Sequence, residues 1–363
     1  MPSRPLLVVE DDRFLRVLQV LLDPDTPAER YRAFADFFAH EEPDFDGYCA
    51  RVRTLAGGLF PVSVRMVETQ DEMRRALADA QVLVVEALAV GHDDIAAAPK
   101  LKLVQKYGLG MSGIDEAACT ARGVRVLTIR RRANIACAEH AIALMLVQAR
   151  KLHRMIGRIS PAKLAEEGHP YRPFDRRHTP NSNWGRVPGI RLLHGAALGI
   201  IGLGEIGREI AVRAAAFGMR IVYFQRRQLP AADERALDVT YAPLDVLLAE
   251  SDWLVTQLPE GPSTQNLIGA EQLARLKPGA FIVNVSRPGV IDRAALIDAL
   301  RSGRLGGFAL DPLYEAPGRD NDELLQFKNV ILTPHLAAQP RWNALHDFAD
   351  MVEGMARAFA SKA

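Results

Sequence analysis

The stretch that decides the fold is ALGIIGLGEIGREIAVRAAAFG, residues 197–218. Its apolar start predicts a buried strand, and a helical pattern follows after one short turn. The turn has the spacing Gly202-x-Gly204-x-x-Gly207, in the strand-to-helix setting that a dinucleotide-binding turn requires. The first glycine permits the tight turn, the second lets a pyrophosphate approach the backbone, and the third lets the helix pack closely on the strand.

The chain around this turn alternates short apolar runs with helical patterns, as a parallel doubly wound sheet requires. Similar runs in the first hundred residues, LLVVE at 6–10 and QVLVVEA at 81–87, predict a second α/β unit. A chain of 363 residues also exceeds the usual size of one hydrophobic core. The predicted fold class is therefore α/β, with two Rossmann-like domains.

The composition of the chain excludes several classes of partner and cofactor. The 45 Lys and Arg residues nearly balance 44 Asp and Glu residues, so no overall charge attracts nucleic acid or a membrane surface, and neither is predicted as a partner. Three scattered cysteines fit a reducing compartment, and the nine histidines show no metal-ligand spacing, so no metal is predicted. The first residues lack the pattern of a signal peptide, which predicts a cytoplasmic protein.

The cofactor is predicted from the turn and from the strand that follows its helix. Gln225 stands at the end of that strand, where NAD-binding proteins place an acid on the ribose 2′-hydroxyl. Gln225 is neutral and precedes Arg226 and Arg227, which can neutralise a 2′-phosphate. NADP is therefore the preferred cofactor and NAD the alternative; the alternative for the arginines is a solvated loop. The residues predicted to hold the pyrophosphate are Gly202, Leu203, Gly204, Glu205, Ile206 and Gly207.

Three downstream segments carry a family resemblance: NVSR at 284–287, ALD at 309–311 and TPH at 333–335. With the glycine turn, with LKLVQKYGLGMSGID at 101–115 and with ANIACAEHAIALML at 133–146, they resemble the D-isomer-specific 2-hydroxyacid dehydrogenase family. The resemblance covers about residues 100–340. It implies a discontinuous substrate domain, 1–129 plus 338–363, a dinucleotide-binding domain, 130–337, and a homodimer.

The resemblance also implies the catalytic residues. Arg287 matches the arginine that binds the carboxylate of a small 2-oxo acid and polarises its carbonyl, and His335 matches the acid/base. Such a reduction needs a hydride donor, a cation and an acid that titrates near neutrality, and the sequence offers all three. The resemblance further implies that Leu109 and Gly110 cradle the substrate, and that the cofactor is also contacted by Gln257, Pro259 and Asp311.

Four features depart from the family pattern. Gln257 stands where histidine is usual, Pro288 where glycine is usual, and Arg130-Arg131-Arg132 where a Thr-Pro-Gly-like turn is usual. The fourth bears on the acid/base. The glutamate expected five residues after Asp311 is Ala316, and Glu315 is the candidate catalytic carboxylate if the loop shifts. Adjacent side chains on an extended segment point in opposite directions. Without a carboxylate beside it, the imidazolium of His335 loses a stabilising charge, so reduction should favour acidic conditions.

The predicted function is NAD(P)H-dependent reduction of a small 2-oxo acid to the D-2-hydroxy acid, with glyoxylate or hydroxypyruvate weakly preferred. Intact Arg287 and His335 favour this enzyme. Ala316 slightly favours one alternative, a dinucleotide-binding sensor like the corepressors that resemble this family. The other is a non-redox lyase that uses a tightly held dinucleotide in the same cleft.

Two further stretches stay open at this point. The run Arg130-Arg131-Arg132 predicts either recognition of a second anionic group on the substrate or a solvated or intersubunit face. Residues 157–191 are rich in Pro, Arg, His and Asn, which predicts an arm or long loop, in one interpretation packed on a partner subunit.

Overall fold

The computed structural model describes residues 4–360 and shows two compact α/β units. The first unit comprises the chain up to Asn134 together with the segment from Gln339 onward, and the second is Ile135–Ala338. Each unit contains one parallel sheet flanked by helices, which confirms the predicted fold class. Among residues 4–360, no helix is both long enough and apolar enough to cross a membrane.

The strands are β1 (Leu6–Glu10), β2 (Ser63–Val67), β3 (Val82–Val85), β4 (Leu103–Lys106), β5 (Arg125–Leu127), β6 (Ala197–Ile201), β7 (Arg220–Phe224), β8 (Val239–Tyr241), β9 (Trp253–Thr256), β10 (Ala280–Asn284), β11 (Leu305–Leu310) and β12 (Val330–Leu332).

The α-helices are α1 (Val17–Leu22), α2 (Ala28–Phe38), α3 (Phe45–Ala56), α4 (Gln70–Ala76), α5 (His92–Ala96), α6 (Glu116–Ala121), α7 (Arg132–Ala149), α8 (Leu152–Met155), α9 (Pro161–Glu166), α10 (Glu205–Ala216), α11 (Ala231–Leu237), α12 (Leu244–Glu250), α13 (Ala270–Arg275), α14 (Arg293–Arg301) and α15 (Trp342–Ala360). Short 3-10 turns lie at Gly57–Leu59, Leu77–Asp79, Pro288–Val290 and Glu323–Gln326.

The first unit has a five-stranded sheet in the order β2-β1-β3-β4-β5, with every pair parallel. The central strands β1 and β3 are runs of Val and Leu, LLVVE and VLVV, because helices cover both faces of the sheet there. One face packs on α1, α2, α3 and α15, with Phe38, Phe45 and Phe348 in a single core. The Tyr48 hydroxyl, on α3, donates a 2.7 Å hydrogen bond to the Leu345 carbonyl on α15. Residues 11–60 therefore supply helices to this core.

The second unit has a seven-stranded parallel sheet in the order β12-β11-β10-β9-β6-β7-β8. The chain builds outward from β6 to β7 and β8 and then returns to the other side of β6 with β9. This reversal makes the carboxyl ends of β6 and β9 the switch point of the sheet, where open α/β folds bind ligands. The glycine turn follows β6 directly, so the fold places it at that point.

The segment between α7 and β6 is largely irregular. Within it, α9 is anchored by the buried Leu164, and the Trp184 ring meets the Tyr171 ring edge-on at 5.9 Å. Ile156 and Ile159, at the start of this segment, are 77% and 84% exposed in the chain alone. Such exposure is unusual for isoleucine and indicates a surface that a partner can cover.

Candidate active site

The three glycines of the turn differ in what a side chain would meet. A Cβ at Gly202 would lie 2.3 Å from the Gln257 carbonyl oxygen, and Gly202 has a φ of 94°. A Cβ at Gly207 would lie 2.4 Å from the Gly202 carbonyl oxygen. At Gly204 a Cβ would meet no described atom within 4 Å. The fold itself therefore needs glycine at two positions, and the open space at Gly204, where α10 begins, fits a bound pyrophosphate.

Gln225 links the glycine turn to the loop after β7. Its Oε1 accepts a 3.3 Å hydrogen bond from the Leu203 amide, and its Nε2 donates at 2.7 Å to the Arg227 carbonyl. Arg226 and Arg227 are exposed and form no ion pair with any residue in the range 4–360. Two unneutralised guanidinium groups therefore follow the strand end at which the ribose is expected.

Polar groups also collect at the carboxyl end of β9. The Thr256 hydroxyl and the Gln257 Nε2 are buried, and neither has a hydrogen-bond partner among the described residues. A buried polar group without a partner costs about 1–3 kcal/mol, so these atoms are suited to a ligand that completes their bonds. Pro259 lies two residues further on, exposed, and its carbonyl accepts a 2.7 Å bond from Thr264.

Arg287 follows β10 on a turn that Asn284 holds. The Asn284 Oδ1 accepts hydrogen bonds from the Ser286 amide at 2.9 Å and from its hydroxyl at 3.0 Å, and the Asn284 Nδ2 donates at 2.8 Å to the Arg287 carbonyl. Asn284 is fully buried, whereas Arg287 is exposed. Its backbone is extended, as is usual for a residue before proline.

His335 follows β12 on a turn held by Asp311. The Asp311 carboxylate is buried and accepts hydrogen bonds from the Leu336 amide at 2.7 Å and the Ala337 amide at 2.8 Å. The Asp311 carbonyl accepts a bond from the His335 amide at 3.1 Å. The His335 side chain is exposed. The predicted contact of Asp311 with the nicotinamide end of the cofactor stays a prediction.

Glu315 is exposed, and its Oε1 accepts hydrogen bonds from Arg319. Within residues 4–360 the structure gives no hydrogen bond or ion pair between Glu315 and His335. Ala316 is also exposed, and its methyl group cannot replace the carboxylate that the family has at this position. The catalytic assignment of Glu315 stays a prediction, and Arg319 competes for that carboxylate.

The remaining predicted residues belong to the first unit. Leu109 and Gly110 lie in the loop after β4, where Leu109 is 46% exposed and a Cβ at Gly110 would meet no described atom within 4 Å. This loop leaves the carboxyl end of its sheet, the edge at which parallel sheets bind ligands.

The arginine run is engaged within the first unit. Arg132 forms ion pairs with Asp347 at 2.8 Å and Asp350 at 2.7 Å. Arg131 lies 5.0 Å over the Tyr107 ring and 3.5 Å from a Glu86 carboxylate oxygen. These contacts give two of the three arginines a structural role, which competes with recognition of a second anionic group.

Sequence reasoning missed one polar side chain beneath the His335 turn. His140, on α7, lies beside Asp311 and Thr333. The sequence offered a signal in the segment AEH at 138–140, which belongs to the family resemblance, but nothing local ties that helix to a turn some 195 residues later. In the part of the chain that the structure describes, no group of three or more His, Cys, Asp or Glu side chains is arranged to hold a metal ion.

A parallel sheet with a glycine turn at its switch point defines a dinucleotide-binding α/β protein. Comparison with known proteins specifies the family. Residues 171–337 match the family model described as D-isomer specific 2-hydroxyacid dehydrogenase, NAD binding domain. The chain is 34% identical over 272 residues to the hydroxypyruvate reductase of Thermotoga maritima, a match covering 74% of this chain and 81% of that protein. The chain therefore belongs to the D-isomer-specific 2-hydroxyacid dehydrogenase family, as the sequence predicted.

Other relatives share less of their length or show mainly the fold. The D-3-phosphoglycerate dehydrogenase of Mycobacterium tuberculosis is 37% identical over 282 residues, which cover 76% of this chain and 49% of that protein. The chain thus spans about half the length of this relative. The solved apo structure of D-mandelate dehydrogenase from Rhodotorula graminis is 26% identical, with a TM-score of 0.57 over 97% of this chain and 93% of that one.

Proposed function

We propose that this chain reduces a small 2-oxo acid to the D-2-hydroxy acid with a reduced nicotinamide dinucleotide, reversibly. The observation that carries the proposal is the placement of Arg287 and His335. Both follow the carboxyl ends of strands in the sheet whose switch point holds the glycine turn. In this proposal the second unit is the dinucleotide-binding domain and the first unit is the substrate domain, with Leu109 and Gly110 facing the substrate.

The residues divide the chemistry between them. The dinucleotide, when bound, supplies the hydride. The planar guanidinium of Arg287 binds the substrate carboxylate through two parallel hydrogen bonds and draws electron density from the adjacent carbonyl. The protonated imidazole of His335 gives its proton to the carbonyl oxygen, and in the reverse direction the neutral ring takes a proton from the hydroxyl.

NADP is the cofactor we propose, with NAD as the alternative. Support comes from Gln225, which is neutral and bonded to the glycine turn, and from the exposed, unneutralised Arg226 and Arg227. A 2′-phosphate brings two negative charges to this loop, whereas a 2′-hydroxyl brings none. The arginines therefore favour the phosphorylated cofactor.

A second candidate is a dinucleotide-binding sensor without turnover. One observation favours it: Ala316 replaces the family glutamate, and Glu315 is engaged by Arg319. Within the described residues, no carboxylate forms an ion pair with His335. The proton donor therefore lacks the group that would stabilise its charged form.

We also propose a homodimer. Support comes from the exposed Ile156 and Ile159 at the start of the irregular segment before β6. An isologous contact would cover both copies of this apolar surface at once. Sedimentation velocity tests this proposal. Wild type should sediment as a dimer, whereas the Ile156→Glu, Ile159→Glu double variant should sediment as a monomer because the buried charges oppose the contact.

One assay separates the candidate functions. Purified protein is mixed with NADPH or NADH and a panel of small 2-oxo acids from acidic to neutral pH, and absorbance of the reduced nicotinamide is followed. The variant His335→Ala should lose at least about 100-fold in turnover while binding cofactor normally. His178→Ala, which removes an exposed histidine, is the matched control and should behave as wild type.

The other outcomes are equally specific. Retained turnover in His335→Ala would remove this histidine from the mechanism. Tight cofactor binding with no oxidation by any acid would favour the sensor. Product formed with no net change in the nicotinamide would favour a lyase.

A further inference from the structure

His140 has polar contacts that the proposed mechanism does not use. It lies on α7, and its ring is about one-fifth exposed. The Nε2 atom is 3.3 Å from the Thr333 Oγ1 and 3.4 Å from the Asp311 Oδ1. Thr333 lies two residues before His335 in the chain, and Asp311 is the residue that holds the His335 turn.

The neighbouring groups determine which nitrogen of His140 carries the hydrogen. The Thr333 hydroxyl donates its proton to the Asp311 Oδ1 at 2.6 Å, so its oxygen is left as an acceptor toward His140. The Asp311 carboxylate also accepts from the Leu336 and Ala337 amides. An ionised carboxylate accepts about four hydrogen bonds and donates none. Because both groups facing Nε2 are acceptors, Nε2 carries a hydrogen.

The turn above this cluster needs to be held. His335 has a φ of 59°, in the left-handed region, which is strained for a residue other than glycine. Its amide donates to the carbonyls of Asp311 and Thr333, and the next two amides donate to the Asp311 carboxylate. The conformation of His335 therefore depends on where Asp311 and Thr333 are fixed.

We propose that His140 is a positioning residue for His335. Its Nε2–H donates to the Asp311 carboxylate and the Thr333 hydroxyl, fixes both groups, and through them fixes the turn that aims the imidazole of His335. The role in turnover rests on the proposed function, whereas the hydrogen bonds themselves do not. Without the donor, the turn loosens and fewer molecules present His335 to the substrate.

The first measurement uses the wild-type protein. The ¹⁵N chemical shifts of the His140 ring should show a hydrogen on Nε2, with the resonance assigned from its loss in His140→Gln. A protonated Nδ1 with a bare Nε2 would overturn the proposal. This measurement needs no substrate.

The second measurement uses variants without substrate. His140→Leu removes the donor, and His140→Gln keeps an amide donor near the position of Nε2. Hydrogen exchange of the Leu336 and Ala337 amides should become at least about tenfold faster in His140→Leu and stay close to wild type in His140→Gln. His153→Leu is the control, since it removes a ring placed 3.1 Å from the Lys328 carbonyl, away from the turn.

The third measurement reports on catalysis. His140→Leu should lower kcat about tenfold, with the KM values for cofactor and 2-oxo acid within twofold of wild type, and His140→Gln should restore most of kcat. Equal losses in both variants, or unchanged exchange and kcat in His140→Leu, would overturn the proposal. If His140→Leu does not fold, His140→Ala removes the same donor with less apolar bulk and should show the same changes.

A failure of the proposed function looks different. In that case the wild-type protein would not oxidise the reduced nicotinamide with any of the 2-oxo acids tested. The ¹⁵N shifts of the His140 ring and the amide exchange rates would still support or overturn the hydrogen bonds of His140.

Discussion

The Glu315 Oε1 lies 2.6 Å from the Arg319 Nη2, in an exposed ion pair between residues four apart in an irregular loop. Glu315 is next to Ala316, which occupies the position of the family glutamate. The ion pair with Arg319 keeps the Glu315 carboxylate on the solvent side of the loop. An exposed pair of this kind stabilises the fold by less than about 1 kcal/mol, so its main effect is on where Glu315 points.

The first prediction concerns the carboxylate that Ala316 replaces. In Ala316→Glu, a carboxylate at the family position should stabilise the imidazolium of His335 and move the pH profile of 2-oxo acid reduction upward by about one unit. Glu315→Gln should leave the wild-type profile unchanged, because Arg319 already engages that group. Ala316→Gln adds equal bulk without charge and controls for shape. A downward shift in Glu315→Gln alone would instead identify Glu315 as the partner of His335.

The second prediction compares two glycines of one turn. Gly204→Ala should fold with wild-type thermal stability, because its Cβ meets open space, yet weaken dinucleotide binding at least about tenfold by blocking the pyrophosphate. Gly207→Ala should lower the melting temperature, because its Cβ would lie 2.4 Å from a carbonyl oxygen. Calorimetry and titration of nicotinamide fluorescence separate these effects. Unweakened binding in Gly204→Ala would place the pyrophosphate elsewhere.

The third prediction tests cofactor choice. Arg226→Ala and Arg227→Ala should each raise the Kd for NADPH about tenfold, because each removes a charge-assisted hydrogen bond to the 2′-phosphate. Such a bond contributes about 1.5–3 kcal/mol when buried and less where it is exposed to solvent. The Kd for NADH should change less than twofold. Arg220→Ala provides the control, since it removes the same charge from the opposite end of β7. Equal losses for both cofactors would contradict the preference for NADP.

The fourth prediction concerns the turn that carries Arg287. Asn284→Ala leaves the buried Ser286 donors without their acceptor, which should lower the free energy of unfolding by about 1–3 kcal/mol. It should also raise the KM for the 2-oxo acid, because the Arg287 carbonyl loses its bond. Asn329→Ala is the control: it removes a 3.1 Å bond to the Gly306 carbonyl at the amino ends of the strands. Its KM should match wild type, and an equal KM for Asn284→Ala would refute the positioning argument.

The fifth prediction concerns pH and the arginine run. Burial raises the pKa of the Asp347 carboxyl above its ordinary value, and the hydrogen bonds from Arg132 act in the opposite direction. Arg132→Met should raise that pKa further and lower the free energy of unfolding by about 2 kcal/mol or more at pH 7, since an unpaired buried charge remains.

The sign of the pH dependence follows from this direction. A carboxyl whose folded pKa is raised stabilises the fold at low pH and loses that contribution as pH rises. The loss of unfolding free energy in Arg132→Met, relative to wild type, should therefore become smaller as the pH falls toward about pH 4. Urea unfolding at a series of pH values measures this change. In an Asp347→Asn background, the effect of Arg132→Met on the free energy of unfolding should no longer depend on pH. Arg51→Met, which breaks an exposed ion pair, is the control and should change the free energy of unfolding little at any pH. A deficit that grows on acidification would contradict the argument.

The sequence was sufficient for those parts of the fold and site that local pattern encodes. Alternating apolar runs predicted both sheets, and three glycines in six residues predicted the turn at the switch point. Short motifs predicted that Arg287 and His335 each follow a strand, as they do after β10 and β12, and their catalytic roles stay predictions. Each of these signals lies within about ten residues of the feature it predicts.

The parts that sequence reasoning left open depend on distant contacts. His140 meets Asp311 and Thr333 only when α7 packs beneath the carboxyl ends of β11 and β12, which no local pattern encodes. Arg132 resembles a free cation in the sequence, because its partner Asp347 lies 215 residues away. The helices in residues 11–60 acquire meaning only once α15 provides the surface that they cover.

The position of α15 has a consequence for how the protein is made. Phe348, Val352 and Met355 are buried in the same core as Leu7 and Val9, yet they follow the whole of residues 135–338 in the chain. Translation at about 5–20 residues per second takes roughly 10–40 seconds to cross that interval. The second unit can fold on the ribosome during this time, whereas the first keeps an apolar face of its sheet open until α15 emerges. Chaperones that bind nascent apolar surfaces should therefore engage the amino-terminal strands of this chain for longer than those of the dinucleotide-binding sheet.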